Sequence, residues 1–177
     1  DFTTLKEGST VVGNLPYAYS TDILFHMLKF NKHLGRLIFL LQKEFTERIS
    51  SPPGFKAYGI PSVLTQAFCE AKKGPVIPGN VFHPPTQVES RVLELVFRPD
   101  SLVPPEEYNW FAKVVRGAFL KKRKMIHNSL KASGIIESDK VDTGLEKAGI
   151  DSMRRAETLT VSEFLNLARI FQEIKKS

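Results

Sequence analysis

Hydrophobic and polar positions follow two different periods along the first hundred residues of the chain. Short apolar runs predict three strands, at residues 10–13, 37–41 and 92–97. Helical spacing predicts three helices. The first begins after a Ser20 cap, and the second runs through residues 44–49. The third starts at Pro61 and continues into an apolar stretch with a buried Cys69. The run 37–41 is apolar throughout, which predicts a strand buried on both faces. Buried strands that alternate with helices indicate a largely parallel α/β sheet.

After residue 100 the pattern is helical only. Prolines and acidic residues at positions 104–107 suit a helix N-terminus, and apolar side chains then recur with helical spacing from Trp110 to Phe119. Thr160 and Glu163 form a capping box at the start of a last helix. The apolar side chains of that helix predicted to face inward are Phe164, Leu165, Leu167, Ala168 and Phe171. The change in pattern predicts two domains, residues 1–102 and residues 103–177.

Composition narrows the class of protein. The chain has 177 residues, of which 42% are hydrophobic, enough for one ordinary domain or one and a half smaller ones. Its formal net charge of +6 favours a polyanionic partner. The single cysteine excludes an internal disulfide and suits a reducing compartment. The longest apolar run is too short to span a bilayer and no signal peptide is visible, so we expect a soluble intracellular protein.

The tetrapeptide Asn14-Leu15-Pro16-Tyr17 follows the first predicted strand. An amide oxygen and a backbone carbonyl beside a proline can accept both N–H groups of an exocyclic amine, and an aromatic ring can stack on the base that carries it. These residue types therefore suit a site for adenine or cytosine. They equally suit a strand that ends in a proline turn, with Asn14 capping the bend and Tyr17 in the core.

Four consecutive cations, Lys121, Lys122, Arg123 and Lys124, lie at or near a helix end. They cannot all be paired internally, so some of them face solvent or phosphate. The two interpretations open at this point are a solvated helix face and a nucleic-acid contact.

Several other kinds of site are not predicted. The four histidines lack metal-ligand spacing and have no cysteine partners, so no metal is expected. No Ser-His-Asp arrangement can be identified. The chain also contains no glycine-rich G-x-G-x-x-G loop.

Six segments in fixed order resemble the small-subunit ribosomal RNA adenine N6-dimethyltransferases, and together they run through nearly the whole chain. Those in the first domain are residues 12–17 with Ser20 and Thr21, residues 41–44 with Arg48, residues 56–59 with Ser62 and Val63, and residues 82–90. Those in the second are Ala118 and Phe119 with residues 122–124 and 128–130, and residues 155–157 with Leu159. A single motif is weak evidence, whereas six in order are specific.

The resemblance implies transfer of methyl groups from S-adenosylmethionine to two adjacent adenosines near the 3′ end of small-subunit rRNA. It implies the C-terminal half of a Rossmann-like methyltransferase sheet followed by a small all-helical domain that helps to hold the rRNA. The division at residue 103 agrees with that arrangement. The glycine-rich cofactor loop of the family has no counterpart here, so we expect an N-terminal cofactor-binding part to be missing from the sequence and this chain alone to be inactive.

Site residues also follow from the resemblance. The catalytic segment is Asn14, Leu15, Pro16 and Tyr17, and Phe82, which a core position before a proline turn would also explain, matches the family's second aromatic motif. Asn14 and Asp1 are the candidates for cofactor contact, and residues 121–124 are the candidates for RNA contact.

Three further expectations complete the sequence-based prediction. The partners are the small ribosomal subunit and its rRNA, with no membrane and no metal. The protein is a monomer in the cytoplasm or in an organellar matrix. The alternatives are a non-catalytic RNA-binding or ribosome-assembly fragment, and the large-subunit rRNA adenine methyltransferases, which typically have Ile at the position of Leu15.

Overall fold

The computed structural model describes residues 2–176, which form two compact units. The first consists of the residues up to 51 together with 65–101, and the second of 52–64 together with the residues from 102 onward. The predicted division into 1–102 and 103–177 had placed the segment 52–64 in the first domain. The assignment of residues 1–102 to catalysis and of residues 103–177 to rRNA binding stays a prediction.

A mixed four-stranded sheet forms the first unit. Its strands are β1 (Ser9–Asn14), β2 (Leu34–Gln42), β3 (Cys69–Ile77) and β4 (Ser90–Phe97), in the spatial order β1-β2-β4-β3. β1 and β2 are parallel, whereas β4 is antiparallel to both of its neighbours. The prediction of a largely parallel sheet was therefore wrong. β3 and β4 follow each other without a crossover helix, and strands joined in that way pair antiparallel.

Two helices lie in the same unit, α1 (Ser20–Met27) and α2 (Lys43–Ser50), and α2 packs against β2, β3 and β4. The predicted α/β class is confirmed. β2 is not buried on both faces as expected: Leu37, Phe39 and Leu41 are buried, while the residues between them are only half-buried. The alternation shows that one face of this strand carries the core.

Two local predictions were wrong. Tyr19, not Ser20, is the cap residue of α1, and the Ser20 hydroxyl instead donates a hydrogen bond to the Pro16 carbonyl at 2.9 Å. Cys69 is the first residue of β3, because the helix that contains Pro61, α3 (Ile60–Gln66), ends three positions before it. Cys69 is buried as expected, and burial raises the pKa of its thiol.

Helices form the second unit: most of α3, then α4 (Tyr108–Ala118), α5 (Ile126–Ser133), α6 (Lys140–Lys147) and α7 (Val161–Lys176). α4 packs against α5 and α7, and α6 packs against α5 and α7. Phe111, Phe164 and Phe171 are fully buried, in agreement with the predicted apolar faces. Among residues 2–176, no helix is long and apolar enough to cross a membrane.

The predicted capping box at the start of α7 is confirmed. The Thr160 backbone N–H donates to the Glu163 carboxylate at 2.7 Å, and the Glu163 N–H donates to the Thr160 hydroxyl at 3.2 Å. Arg154 donates to the same carboxylate at 2.5 Å. Hydrogen bonding from Arg154, which outweighs desolvation, lowers the pKa of Glu163.

Candidate functional site

Four strand ends meet at one edge of the sheet in the first unit. In the parallel pair, Asn14 at the end of β1 lies opposite Leu40, near the end of β2. In the antiparallel pairs, Ser90 at the start of β4 lies opposite both Gln42, the last residue of β2, and Ile77, the last residue of β3. The carboxyl ends of parallel strands are where sheets of this class bind ligands.

The segment Asn14-Leu15-Pro16-Tyr17 begins at this edge. Asn14 is exposed, whereas the Leu15 side chain is buried and the Leu15 N–H donates to the Leu40 carbonyl at 3.4 Å. The Pro16 carbonyl accepts hydrogen bonds from the Tyr19 N–H at 3.0 Å and from the Ser20 hydroxyl. The backbone of the segment is thus fastened to β2 on one side and to α1 on the other, while the Asn14 amide faces solvent.

Tyr17 has a polar partner in a distant part of the sequence. Its hydroxyl lies 2.6 Å from the hydroxyl of Ser90, and the two groups are hydrogen-bonded. The Tyr17 side chain stays 38% exposed, whereas Ser90 is completely buried. The Tyr17 ring is therefore anchored at its hydroxyl end, and it is not the core residue that the alternative interpretation required.

A cavity of about 190 Å³ opens beside Tyr17. Its lining comes from the start of α1, the end of β2 and the first turns of α2, and consists of Tyr17, Ser20, Thr21, Gln42, Glu44, Phe45 and Arg48. Apart from Tyr17, none of these residues was a sequence-based site candidate. All of them except Phe45 lie in segments that carry the family resemblance, and that membership is the signal that could have identified them.

Phe82 lies in the loop that joins β3 to β4, at the same edge of the sheet, and its side chain is half-buried. A 3-10 turn, Gly79–Val81, precedes it. The Thr86 N–H donates to the Gly79 carbonyl at 3.0 Å, and a Cβ atom on Gly79 would lie 1.9 Å from the Thr86 carbonyl oxygen. The loop is closed so tightly there that only glycine fits.

The basic run lies in the second unit, in the turn between α4 and α5. Lys121, Lys122, Arg123 and Lys124 are all exposed, and none of them forms an ion pair with a carboxylate in the part of the chain that the structure describes. The Lys124 N–H donates to the Lys121 carbonyl at 3.3 Å, and Arg123 has a left-handed backbone with φ of 63°. The turn presents four unneutralised positive charges to solvent.

The predictions of a cofactor contact and of no metal site concern residues 1–177, of which the structure describes 2–176. Asp1, one of the two residues predicted to contact a cofactor, lies outside the described residues. Within residues 2–176, no three histidine, cysteine, aspartate or glutamate side chains are grouped so that they could hold a metal ion. The contact of Asn14 with a cofactor stays a prediction.

Comparison with known proteins gives close relatives over most of the chain. It is 35% identical over 175 residues to ribosomal RNA small subunit methyltransferase A of Nitrosospira multiformis, covering 99% of this chain and 65% of that protein. It is 40% identical over 172 residues to the protein of the same name from Xanthomonas campestris, covering 96% of this chain and 63% of the relative. The chain thus spans less than two thirds of the length of these relatives.

Two solved structures share the fold. A dimethyladenosine transferase from Plasmodium falciparum matches 97% of this chain and 69% of its own, with a TM-score of 0.82 and 21% identity. The 23S rRNA methyltransferase ErmE matches 97% of this chain and 70% of its own, with a TM-score of 0.63 and 19% identity. The sheet is accordingly part of a Rossmann-like methyltransferase fold. The family of ribosomal RNA adenine dimethylases matches residues 3–173, and the chain belongs to that family.

Proposed function

We propose that the full-length protein transfers methyl groups from S-adenosylmethionine to the N6 atoms of two adjacent adenosines near the 3′ end of small-subunit rRNA, and so takes part in ribosome biogenesis. The observation that carries this proposal is the exposed Asn14 amide at the carboxyl end of β1, next to a half-exposed Tyr17 that borders a cavity. Membership of the adenine dimethylase family supports adenine as the base.

Asn14 and Leu15 would act on the amino group itself. The N6 lone pair of adenine is delocalised into the ring, which makes the nitrogen a poor nucleophile. Hydrogen bonds from the amine to the Asn14 side-chain oxygen and to the Leu15 carbonyl favour a pyramidal nitrogen whose lone pair is available. Both acceptors are uncharged, and the bond from the Leu15 N–H to Leu40 holds the backbone that carries them. No strong base is needed for this step.

Aromatic side chains would receive the base. An adenine must leave its stack to reach the end of β1, and stacking on an aromatic ring offsets the cost of unstacking. Tyr17, whose ring is partly exposed, would stack on one face of the base, and Phe82 belongs to the loop at the same edge of the sheet. Pro16 restricts the backbone between Asn14 and Tyr17, which keeps the acceptor and the stacking ring in a fixed relation.

S-adenosylmethionine, when bound, supplies an electrophilic methyl group on a sulfonium sulfur. The described residue that fits a contact with it is Asn14, because its amide is uncharged, exposed and at the strand end. Asn14 would then orient the amine toward the methyl group.

The small ribosomal subunit is the proposed substrate particle. Relatives that are 35–40% identical carry the name ribosomal RNA small subunit methyltransferase A, whereas the likeness to ErmE concerns the fold alone. The exposed run at residues 121–124 would contact rRNA phosphates. We further propose that the enzyme is a monomer that acts in the cytoplasm.

Substitution of Asn14 tests the function. In the full-length enzyme, Asn14→Ala should lower the rate of methyl transfer to unmethylated small subunits by at least about 100-fold, because an acceptor for the amine is lost. RNA binding should stay near normal. The measurement is incorporation of labelled methyl groups, with binding followed separately. Asn109→Ala, at an exposed position of α4, serves as the matched control. An undiminished rate in Asn14→Ala would remove Asn14 from the mechanism.

A further inference from the structure

Ser90 is a buried hydroxyl that the proposed reaction does not use directly. It is the first residue of β4, its side chain has no exposed surface, and its backbone lies opposite strand residues on both sides. Its position is therefore fixed by the sheet. The hydroxyl of Tyr17, 73 positions away in the sequence, is hydrogen-bonded to it at 2.6 Å.

The backbone contacts of the Asn14–Tyr17 segment do not fix the Tyr17 ring. Leu15 is bonded to Leu40, and the Pro16 carbonyl accepts from Tyr19 and Ser20. These contacts hold the main chain, but a ring that is 38% exposed can still turn about its side-chain torsions. The bond to Ser90 fixes the far end of the ring to the sheet, and with it the direction of the long axis of the ring.

We propose that Ser90 is a positioning residue, which sets the place and the direction of the Tyr17 ring against the base that the enzyme methylates. The proposal rests on the proposed function, since it needs Tyr17 as the stacking platform. Stacking requires the ring at a defined place over the base, and a displacement of about 1 Å at a reacting group can cost about 100-fold in rate. A displaced ring would still bind the base but would present its amine to Asn14 in the wrong position.

The arrangement predicts that Ser90 and Tyr17 act as one unit. Ser90→Ala removes the anchor and leaves the ring, whereas Tyr17→Phe removes only the hydroxyl and leaves both the ring and the serine. Each change breaks the same hydrogen bond. The second change, made on top of the first, then has nothing further to break.

The test is a double-mutant cycle in the full-length enzyme. Ser90→Ala and Tyr17→Phe should each lower kcat for methyl transfer by about 10-fold, with the KM for the small subunit changed by less than about twofold. The double variant should be no slower than the slower single variant. Thr46→Val is the control, because Thr46 is a fully buried hydroxyl of the same unit whose hydrogen bond goes to Lys43 within α2.

Two results would overturn the proposal: effects of the two changes that multiply in the double variant, or a kcat of Ser90→Ala equal to that of wild type. A loss of kcat in Thr46→Val as large as in Ser90→Ala would equally contradict it, since the effect would then be one of general stability. Thermal unfolding of each variant shows whether the fold is retained.

The χ1 rotamer populations of Tyr17, measured by NMR three-bond couplings on isotopically labelled protein, separate this proposal from the proposed function. Ser90→Ala should turn the single χ1 rotamer of wild type into a mixture of rotamers, and an unchanged single rotamer would contradict the anchor whatever the activity. An inactive wild-type enzyme would instead contradict the proposed function, and that result is visible before any variant is made.

Discussion

The two units of the molecule arrange their charged groups differently. Around the sheet five cations form ion pairs: Arg36 with Glu94, Lys43 with Glu89, Lys73 and Arg91 with Glu47, and Arg98 with Glu70. The hydrogen bond from Lys73 lowers the pKa of Glu47. In the helical unit some cations are paired as well, but the run at residues 121–124 is not.

The difference corresponds to two tasks that the proposed function requires. Positioning an amine requires uncharged groups at fixed distances, such as the Asn14 amide and the Tyr17–Ser90 pair. Holding a polyanion requires positive charge that no carboxylate cancels, and exact geometry matters less. The first task depends on hydrogen bonds to the sheet, and the second on a turn whose charges stay free.

The largest effect is expected from removal of the four positive charges at residues 121–124. Replacing all four residues of the run 121–124 by Ala should weaken binding to small-subunit rRNA by about 100-fold at low salt and flatten the salt dependence by a slope of about 3, since about four phosphate contacts are lost. The kcat at saturating RNA should stay near that of wild type. The measurement is a set of binding titrations across salt concentrations.

A dispersed charge change is the matched control for that experiment. Four exposed lysines outside the ion pairs of the described residues are available for substitution by Ala: Lys6, Lys29, Lys32 and Lys72. Both variants lower the formal net charge from +6 by four, to +2. Equal losses of affinity in the two would show that only net charge matters and that the run has no special role.

A change in the loop that carries Phe82 should lower the rate of methyl transfer and leave RNA binding unchanged, the reverse of the effect expected for the run 121–124. Gly79→Ala would bring a Cβ atom to 1.9 Å from the Thr86 carbonyl oxygen, so the loop backbone has to shift. We expect methyl transfer to fall about 10-fold, with little change in the salt dependence of RNA binding. Steady-state rates and the same titrations measure this. Gly59→Ala, where the nearest atom is 3.9 Å away, is the control, and unchanged rates in Gly79→Ala would place Phe82 outside the site.

The smallest effect is expected at the start of α7. Glu163→Gln keeps an acceptor for the capping box but removes the charge that pairs with Arg154, which should lower the free energy of unfolding at pH 7 by about 0.5 kcal/mol. The folded-state pKa of Glu163 is lowered, so its contribution is present above the ordinary value of 4.5 and is lost as the pH falls through the folded-state pKa.

Urea denaturation at pH 7 and pH 3 measures that contribution. Wild type and Glu163→Gln should differ less at pH 3 than at pH 7, while Glu146→Gln, at an exposed position of α6, should match wild type at both. A difference that persists unchanged at pH 3 would show that the charge is not its cause.

Much of this fold could be predicted from local sequence signals. The strands at Ser9–Asn14 and Ser90–Phe97 and the capped helix at Val161–Lys176 have clear periodicity or a cap, and each was predicted within a few residues. β3 was missed because its central residues are Lys72, Lys73, Gly74 and Pro75, which interrupt any alternation. The direction of β4 depends on a long loop, which local patterns do not encode.

Some residues of the candidate site could likewise be predicted from the sequence, and others could not. Asn14 and Tyr17 were candidates from the sequence because an amide that accepts from an amine and a ring that stacks on a base suggest a ligand by their side-chain types alone. Ser90 and the cavity residues of β2 and α2 were not, because a serine or a glutamine becomes informative only when the fold brings it beside Tyr17. What the sequence lacked was the sheet register that brings distant positions together.

The left-handed turn at Arg123 has a consequence for the kinetics of the proposed RNA binding. A non-glycine residue with φ of 63° is disfavoured by about 1–2 kcal/mol relative to ordinary conformations, and here the bond from Lys124 to Lys121 closes the turn around it. The entropy of ordering this stretch of main chain is lost when the protein folds, not when it meets RNA. An rRNA that binds in the proposed way would meet a preformed charged surface, and its association would need no folding step at this turn.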